Sequence, residues 1–258
     1  MSAAPAATFA ALIIGDEILS GKRQDKHLSK VIEVLKARGL GLSWVRYLGD
    51  DPDLITATLK ETFAADTVIF SFGGIGATPD DHTRQCAAAA LGVALHVHPE
   101  AEAEMRAKEN FEITPNRLRM AEFPLGSRII PNPYNRIAAF SVHRHHFLPG
   151  FPEMAWPMME WVLDREYSQH FHRIEEAEDI IVIHDAGESN LIDMMERILA
   201  NHPGVKLSSL PQHLPDGAGG VKRIIEFSLR GDPASVPRAM AEAKTNVHSL
   251  GFTFAVKS

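Results

Sequence analysis

The chain has little of what several classes of protein require. It has one cysteine, Cys86, so an internal disulfide is excluded and a reducing, cytoplasmic compartment is expected. No apolar run approaches the roughly 18 residues that cross a bilayer, so no membrane partner is expected. Positive charge is also scarce, since 26 Lys and Arg stand against 33 Asp and Glu, and the net charge of −7 disfavours nucleic acid as a partner.

What remains is the composition of an ordinary globular protein. Hydrophobic residues make up 45% of the chain and charged residues 23%, close to globular averages. The 258 residues suffice for one large domain or two modest ones. The apolar run at 9–14 leads directly into Gly-Asp-Glu, which indicates a first strand rather than a signal peptide.

Strands and helices alternate up to about residue 98. The predicted strands are 9–14, 42–48, 67–70 and 93–97, and the predicted helices are 26–38, 52–63, 79–91 and 99–111. This alternation predicts a mostly parallel sheet with helices on both faces, a three-layer α/β/α domain. Because ligands bind beyond the carboxyl ends of such strands, Asp16, Asp50 and Gly73, which each follow a strand, are expected at one edge of the sheet.

The pattern changes twice further along the chain. Short segments at 128–130, 137–142 and 145–148 predict an antiparallel addition or flap, and a helix follows over 154–171. After an acidic run at 175–179, the order βαββαβ predicts a small α+β domain of ferredoxin-like type. Its predicted elements are 180–184, 190–200, 205–210, 221–229, 233–247 and 252–256, with a Pro/Gly-rich turn at 211–220. We therefore predict domains at 1–172 and 175–258.

The stretch at 67–83 carries the strongest functional signal. A buried strand runs into Gly73, Gly74 and Gly76, which let a ligand approach the backbone. Thr78 and Asp81 then suit the N-cap and the acidic partner of a capping box. A helix N-terminus presents free N–H groups and a partial positive charge, so the loop predicts an anion site suited to phosphate. Carboxylates beside it would also suit a divalent cation.

Structural interpretations of the same residues stay open. In one interpretation, Asp81 has no role beyond capping a helix. The pair Asp50 and Asp51 can be interpreted in the same way, as the cap of another helix. The loop is neither a Walker A loop nor a Rossmann fingerprint, because it lacks Gly-Lys-Ser/Thr and the G-x-G-x-x-G spacing.

Thr83 either hydrogen-bonds phosphate or occupies the first turns of the helix, and Arg84 either contacts phosphate or lies on the surface. The histidine-rich run at 143–146 predicts a solvated hairpin tip rather than a metal site, since adjacent strand residues point to opposite faces. His82, inside the glycine-rich stretch, is the one histidine that merits a test.

Five motifs, in order, resemble a known family. They are Gly15-Asp16-Glu17-Ile18-Leu19-Ser20-Gly21, Gly49-Asp50-Asp51, Gly73-Gly74-Ile75-Gly76-Ala77-Thr78-Pro79-Asp80-Asp81-His82-Thr83, the region 116–124 followed by Asn132-Pro133, and Leu148-Pro149-Gly150-Phe151-Pro152-Glu153-Met154. Together they resemble the molybdopterin-binding domain of molybdenum-cofactor biosynthesis proteins of the MoaB and MogA type. The resemblance is closest to the branch of the competence/damage-inducible protein CinA.

The resemblance implies a site. By motif position it implies Asp50 and Asp81 as catalytic residues, and Mg²⁺ or another divalent cation held by Asp16, Glu17, Asp50 and Asp81. The residues that it implies for ligand or phosphate binding are Gly73, Gly74, Gly76, Thr78, Thr83 and Gly150. It also implies a small phosphorylated ligand, with molybdopterin as one candidate, and a homo-oligomer, either a dimer or a trimer.

Two departures from the family pattern concern the ligand. Many relatives carry an Asp-x-Asn run after the first motif; here Asp25 matches and the Asn position does not. The usual Gly-x-Ala-x-Gly after Asn132-Pro133 is also absent. The distal half of the ligand is therefore expected to differ from molybdopterin.

Two classes of function follow. One is a metal-dependent hydrolase of a nucleotide pyrophosphate of the ADP-ribose or FAD type. The other is a binding or carrier module for molybdopterin or a nucleotide, without turnover. The residues predict phosphate and metal, and they do not choose between the two classes.

Overall fold

The computed structural model describes residues 7–108, 112–173, 176–215 and 221–257. The chain divides into two compact units, Met1–Arg173 and Ile174–Ser258. The exact domain limits of 1–172 and 175–258 stay predictions. Among the described residues, no helix combines the length and the apolar character that crossing a bilayer requires.

The first unit contains eight described strands and seven described helices. The strands are β1 (Thr8–Ile14), β2 (Leu42–Leu48), β3 (Thr67–Phe72), β4 (Leu95–Val97), β5 (Glu122–Pro124), β6 (Arg128–Ile130), β7 (Ala139–Val142) and β8 (His145–Leu148). The helices are α1 (Asp16–Leu19), α2 (His27–Ala37), α3 (Pro52–Phe63), α4 (Thr83–Leu91), α5 (Pro99–Arg106), α6 (Pro115–Leu118) and α7 (Pro152–Glu166). Two 3-10 turns follow α6 and α7, at Arg119–Ala121 and Ser168–His170.

Six of these strands form one sheet in the order β2-β1-β3-β8-β7-β6. β1 pairs in parallel with β2 and β3, and β3 pairs in parallel with β8. β7 is antiparallel to both β8 and β6. The chain leaves β1 toward β2 on one side and returns to β3 on the other, so β1 and β3 flank a topological switch point, the usual ligand position in such sheets.

Both faces of the sheet are covered. The odd-numbered residues 9–13 of β1 pack in a core with α2 and α7, and the even-numbered residues 10–14 pack in a second core with α3, α4 and α5. Burial on both faces explains why β1 is a continuous apolar run rather than an alternating one. The mostly parallel three-layer fold predicted from the sequence is confirmed.

One detail of the prediction is wrong. The segment 93–97 does not enter the main sheet, since among the described strands β4 pairs with β5 alone, in a two-stranded antiparallel ribbon. The place beside β3 is taken by β8, which pairs with it directly. Of the two alternatives predicted for this region, β6, β7 and β8 form the antiparallel addition and not the flap, and they make up one half of the central sheet.

The second unit is a separate antiparallel sheet with two helices. Its elements are β9 (Ala177–His184), a 3-10 turn (Glu188–Asn190), α8 (Ile192–Asn201), β10 (Lys206–Pro215), β11 (Val221–Gly231), α9 (Val236–Ser249) and β12 (Thr253–Val256). The strand order β10-β11-β9-β12 is that of the ferredoxin-like βαββαβ pattern. Its core joins Ile183 and Phe227 of the sheet to Met194 of α8 and Met240 of α9.

Two segments of this unit are more extended than the sequence predicts. β9 begins at Ala177, so part of the predicted acidic linker is strand. β10 continues through Pro211 to Pro215, where a turn was predicted. An edge strand tolerates proline because one of its two sides donates no ladder hydrogen bonds. The rest of that predicted turn, 216–220, lies outside the described residues.

Candidate functional site

The carboxyl ends of four strands meet at one edge of the main sheet. The Gly15 N–H after β1 donates to the Leu48 carbonyl of β2 at 3.0 Å, and the Gly73 N–H after β3 donates to the Leu148 carbonyl of β8 at 3.0 Å. Gly73 lies so close to β1 that an added Cβ would be 2.2 Å from the Ile14 carbonyl oxygen. The predicted convergence of the loops after β1, β2 and β3 therefore exists, and the loop after β8 joins them.

Asp16 and Asp50 form a pair at this edge. The Asp16 N–H donates to Asp50 Oδ2 at 2.9 Å, and the Asp50 N–H donates to Asp16 Oδ1 at 3.1 Å. Burial raises the pKa of Asp50, and the negative charges of Asp16, Glu17 and Asp80 raise it further, against the opposing effect of the Asp16 N–H. A cation placed here would relieve a concentration of negative charge.

The four predicted metal ligands do not form one cluster. Within the described ranges, no group of three or more His, Cys, Asp or Glu side chains is arranged to hold a metal ion. Glu17 lies 3.8 Å from Arg23, and Asp81 is engaged with Thr78. The Asp16–Asp50 pair alone fits Mg²⁺, which usually takes one or two protein carboxylates and fills its other positions with water and phosphate oxygens.

The helix cap of α3 is Asp51 and not Asp50. Asp51 Oδ1 accepts from the backbone N–H groups of Asp53 at 2.9 Å and Leu54 at 3.2 Å. The two adjacent aspartates thus have different roles, one structural and the other in the carboxylate pair.

The glycine-rich loop does not enter a helix at Pro79, so that part of the prediction is wrong. Helix α4 begins at Thr83 with His82 as its N-cap residue, and the His82 side chain makes no capping bond. The residues from Thr78 to Asp81 form a turn instead, in which the Asp81 N–H donates to the Thr78 carbonyl at 3.1 Å. Asp81 Oδ2 accepts from the Thr78 N–H at 2.9 Å and from the Thr78 hydroxyl. The two residues that were predicted to cap the helix therefore bond to each other within the turn.

The loop caps α4 with its own backbone. The Thr83 N–H donates to the Gly74 carbonyl at 3.0 Å, and the Thr83 hydroxyl donates to the Gly73 carbonyl at 3.1 Å. Thr83 is fully buried, so in this conformation its hydroxyl serves the loop rather than a ligand. An added Cβ at Gly74 would lie 2.2 Å from Thr83 Oγ1, and one at Gly76 would lie 2.4 Å from Asp81 Oδ2. These two glycines therefore permit close packing within the loop.

Arg84 has neither of its predicted roles, since it is 1% exposed and bonded to backbone. One guanidinium nitrogen donates to the Gly76 carbonyl at 2.5 Å, and the other donates to the carbonyls of Arg119 and Glu122. Burial lowers the pKa of Arg84, against the attraction of the Glu122 and Asp81 carboxylates. The side chain ties the glycine-rich loop to the segment after α6.

Two cavities lie along the same edge and share Gly150 and Phe151. The polar chamber, of about 240 Å³, is lined by Ile13, Ile14, Glu17, Ile18, Arg23, Gln24, Lys26, His27, Phe72, Gly150, Phe151, Pro152 and Glu153. The apolar chamber, of about 390 Å³, is lined by Gly74, Ile75, Gly76, Ala77, Thr78, Asp81, Met120, Asn132, Asn135, Ile137, Ala138, Pro149, Gly150, Phe151 and Met154. Of the predicted site residues, Gly74, Gly76, Thr78 and Asp81 line the apolar chamber, Glu17 lines the polar one, and Gly150 lines both.

His27 is a site residue that the prediction missed. It is 5% exposed, its Nε2 lies 3.2 Å from the Gly150 carbonyl, and its ring stacks on Phe72 with centroids 4.5 Å apart. Burial lowers its pKa, against the Gly150 carbonyl and the Asp25 carboxylate, which raise it. The available signal was its place in the Asp25-Lys26-His27 run, where the sequence departs from the Asp-x-Asn pattern of the family that it resembles.

The prediction of a solvated tip at 143–146 is wrong for two of its three histidines. His145 and His146 are 1% and 0% exposed, because β8 lies in the middle of the sheet with a helical layer on each face. His145 Nε2 lies 2.8 Å from the Thr62 hydroxyl, and His146 lies 2.8 Å from both the Ser141 and the Tyr167 hydroxyls. Burial lowers the pKa of each histidine to about 3. Only His143, in the turn, is exposed.

Comparisons with known proteins agree on one family. A family model described as a probable molybdopterin binding domain matches residues 10–170. A CinA-like protein of Syntrophotalea carbinolica is 29% identical over 257 residues, which cover 96% of this chain and 60% of that protein. A CinA-like protein of Anaeromyxobacter sp. (strain K) is 38% identical over 161 residues, which cover 59% of this chain and 39% of that protein. The chain thus spans less than two thirds of the length of both relatives.

One solved structure supports the same fold. The crystal structure of the protein CinA of Thermoplasma acidophilum, whose function is described as unknown, aligns with a TM-score of 0.55 and 25% identity. The alignment covers 61% of this chain and 97% of that one.

Proposed function

Because the chain belongs to the family with a probable molybdopterin binding domain, we propose that it binds a small phosphorylated ligand, a pterin or a nucleotide, in its two chambers. The observation that carries the proposal is the meeting of the polar and apolar chambers at Gly150, at the carboxyl edge of the sheet. Open α/β sheets bind their ligands in this place.

The two chambers differ in chemistry in the way that such a ligand does. The apolar chamber offers Ile75, Met120 and Met154 to a heterocyclic ring. The polar chamber offers the positive side chains of Arg23 and Lys26 to phosphate oxygens. The sequence predicts the anion at the helix N-terminus after the glycine-rich loop. Because the Gly74 carbonyl accepts the Thr83 N–H there and the Gly73 carbonyl accepts the Thr83 hydroxyl, we place the phosphates on the polar side of Gly150 instead.

A divalent cation is part of the proposal. Asp16 and Asp50 would hold it, because each carboxylate uses one oxygen in the mutual hydrogen bonds and has a second oxygen for a metal. Glu17 would contribute through charge. Asp81 lies in the apolar chamber, where it orders the Thr78 turn, and we expect it to contact the ligand rather than the cation.

The second candidate is hydrolysis of a nucleotide pyrophosphate of the ADP-ribose or FAD type. The Asp16–Asp50 pair favours it, because a cation held by carboxylates is a common means of activating a phosphate group for hydrolysis. A bound cation would supply the polarisation of a phosphoryl oxygen. Without turnover, the same cleft would serve as a binding or carrier module for molybdopterin or a nucleotide.

A ligand panel separates these functions. ADP-ribose, FAD, NAD and molybdopterin are each titrated in the presence of Mg²⁺, Mn²⁺ or Co²⁺, and release of AMP or phosphate is followed. Saturable, metal-dependent binding is the expected result, and product release would add the hydrolase function. Absence of binding for every ligand with every cation would overturn the proposal.

Asp81→Asn tests the role of Asp81. Loss of metal dependence in this variant would show that Asp81 is a metal ligand after all. Metal dependence that persists with weakened ligand binding is the result expected from its place in the apolar chamber.

The homo-oligomer, a dimer or trimer, remains a proposal that sedimentation analysis of the full chain would decide.

A further inference from the structure

Phe151 stands apart from the other phenylalanines that the structure describes. Its side chain is 53% exposed, whereas every other described phenylalanine is buried or half-buried. An exposed phenyl ring forgoes the stabilisation that burial of its apolar surface would bring. An exposed aromatic ring that lines a cavity is therefore a candidate for contact with a ligand.

The backbone of Phe151 is held while its ring faces the cavities. Phe151 precedes α7 as its N-cap residue, and its carbonyl accepts from the N–H groups of Met154 at 3.1 Å and Ala155 at 2.9 Å. On the other side, the Gly150 carbonyl lies 3.2 Å from His27 Nε2. These contacts fix the backbone from which the ring projects, at the place where the two chambers meet.

Each side of Phe151 offers a different environment. Arg23, which lines only the polar chamber, places its guanidinium 5.6 Å from the centroid of the Phe151 ring. A cation at this distance from an aromatic face is favourable. Arg23 is itself held 3.8 Å from Glu17. On the side of the polar chamber, a positive charge therefore lies beside the Phe151 ring.

On the side of the apolar chamber, the Phe151 ring adjoins apolar side chains and two polar groups. Ile75, Met120 and Met154 offer apolar surface for the faces of a flat ring. Asn135 Nδ2, which makes a weak bond to the Met154 sulfur at 3.1 Å, and Asp81 could hydrogen-bond the edge of a heterocycle there.

Resting on the proposed function, we propose that Phe151 is a specificity-determining residue. The planar heterocycle of the ligand, a pterin or a nucleobase, stacks on the Phe151 ring from the apolar chamber, while Arg23 covers the ring from the polar side. Stacking on an aromatic side chain favours flat heterocycles whatever their pattern of hydrogen-bond donors and acceptors. It therefore selects ligands with an aromatic ring over phosphates that lack one.

The test compares probes that share a phosphate and differ in the ring. Affinities of AMP, FMN and ribose 5-phosphate are measured by calorimetry in Mg²⁺ for the full chain and for Phe151→Leu and Phe151→Tyr. We expect AMP or FMN to bind the native protein at least tenfold more tightly than ribose 5-phosphate. Phe151→Leu should lose most of that ratio with its affinity for ribose 5-phosphate unchanged, and Phe151→Tyr should keep the ratio.

Tyr134→Leu is the matched control, because Tyr134 is an aromatic residue that is 68% exposed and lines neither chamber. This variant should bind all three probes as the native protein does. An equal loss for all probes in Phe151→Leu, or no loss for any, would overturn the stacking proposal and leave the proposed function standing. Failure of the native protein to bind any of the three would overturn the stacking proposal, whereas the proposed function is decided separately by the panel of ADP-ribose, FAD, NAD and molybdopterin.

Discussion

Asp16 and Asp50 hold each other in place, because the backbone N–H of each donates to the carboxylate of the other at 2.9 and 3.1 Å. The arrangement fixes two negative charges side by side although the residues belong to different strand-to-helix connections. Charge crowding of this kind is stable only because each carboxylate is hydrogen-bonded, and it makes the pair a sensitive place for substitution.

Asp50→Asn should abolish the response to divalent cations without lowering stability in their absence. The folded protein raises the pKa of Asp50, so ionisation of this group costs stability as the pH rises through that pKa. Removal of the charge relieves that cost at neutral pH. The measurement is a thermal melt with and without Mg²⁺: the native Tm should rise with Mg²⁺, and the Tm of the variant should not.

Asp51→Ala is the matched control for this prediction. Asp51 caps α3, so its removal should lower the free energy of unfolding by about 1 kcal/mol. Its response to Mg²⁺ should stay native. An equal response to Mg²⁺ in native protein and Asp50→Asn would contradict the assignment of the cation to the carboxylate pair.

Gly74→Ala and Gly150→Ala should fail in different ways. Gly74 has φ +68°, and an added Cβ would lie 2.2 Å from Thr83 Oγ1, so the substitution should cost about 2 kcal/mol or more of stability. At Gly150 the nearest atom to an added Cβ is 3.6 Å away, so the fold should accept alanine. Denaturant melts report stability and ligand titration reports the site, where Gly150→Ala should weaken binding because both chambers meet there.

Arg84→Met should loosen the glycine-rich loop. The substitution leaves the carbonyls of Gly76, Arg119 and Glu122 without their shared donor, and we expect a loss of about 2–4 kcal/mol. Hydrogen exchange should speed up across residues 73–83 and 119–122 together. Faster exchange in only one of these segments would show that Arg84 does not couple them.

His145 and His146 should make the protein sensitive to acid. Their pKa values fall from 6.5 to about 3 on folding, so between these values the unfolded chain binds more protons and stability falls as the pH falls. Each histidine should contribute a slope of up to about 1.4 kcal/mol per pH unit in that window. Urea melts from pH 7 to pH 4 measure the slope.

The same hairpin offers the comparison. His145→Gln and His146→Gln should each flatten the slope, whereas His143→Gln should leave it native because that side chain is exposed. A native slope in all three variants would mean that the acid sensitivity comes from other groups.

The first half of the main sheet could be predicted from the sequence because its signals are local. The predicted strand at 42–48 and helix at 52–63 match β2 and α3, and the predicted helix at 26–38 differs from α2 by one residue at each end. Each of these elements is indicated by residues inside it or next to it. Apolar periodicity marks the helices, Asp51 with Pro52 marks the start of α3, and Gly39 marks the end of α2.

The parts that could not be predicted depend on distant residues. Arg84 can be buried because it donates to the carbonyls of Arg119 and Glu122. These residues are about 35 positions further along the chain, and no residue of α4 indicates that they lie beside it. His145 and His146 are buried because β8 inserts beside β3, a pairing fixed by topology rather than by the composition of the hairpin. At Thr78 the local capping signal is real, but the turn with Asp81 satisfies it and the helix begins later.

The pairing of β3 with β8 has a consequence for the order in which the molecule is made. When residues 73–83 have been synthesised, neither β8 nor the carbonyl acceptors of Arg84 at 119 and 122 exist yet. Local elements such as α3 can form early, but the long-range closures that complete the edge come after the synthesis of residue 150. The edge that carries the proposed ligand cleft is therefore among the last parts of the first unit that can be completed during synthesis.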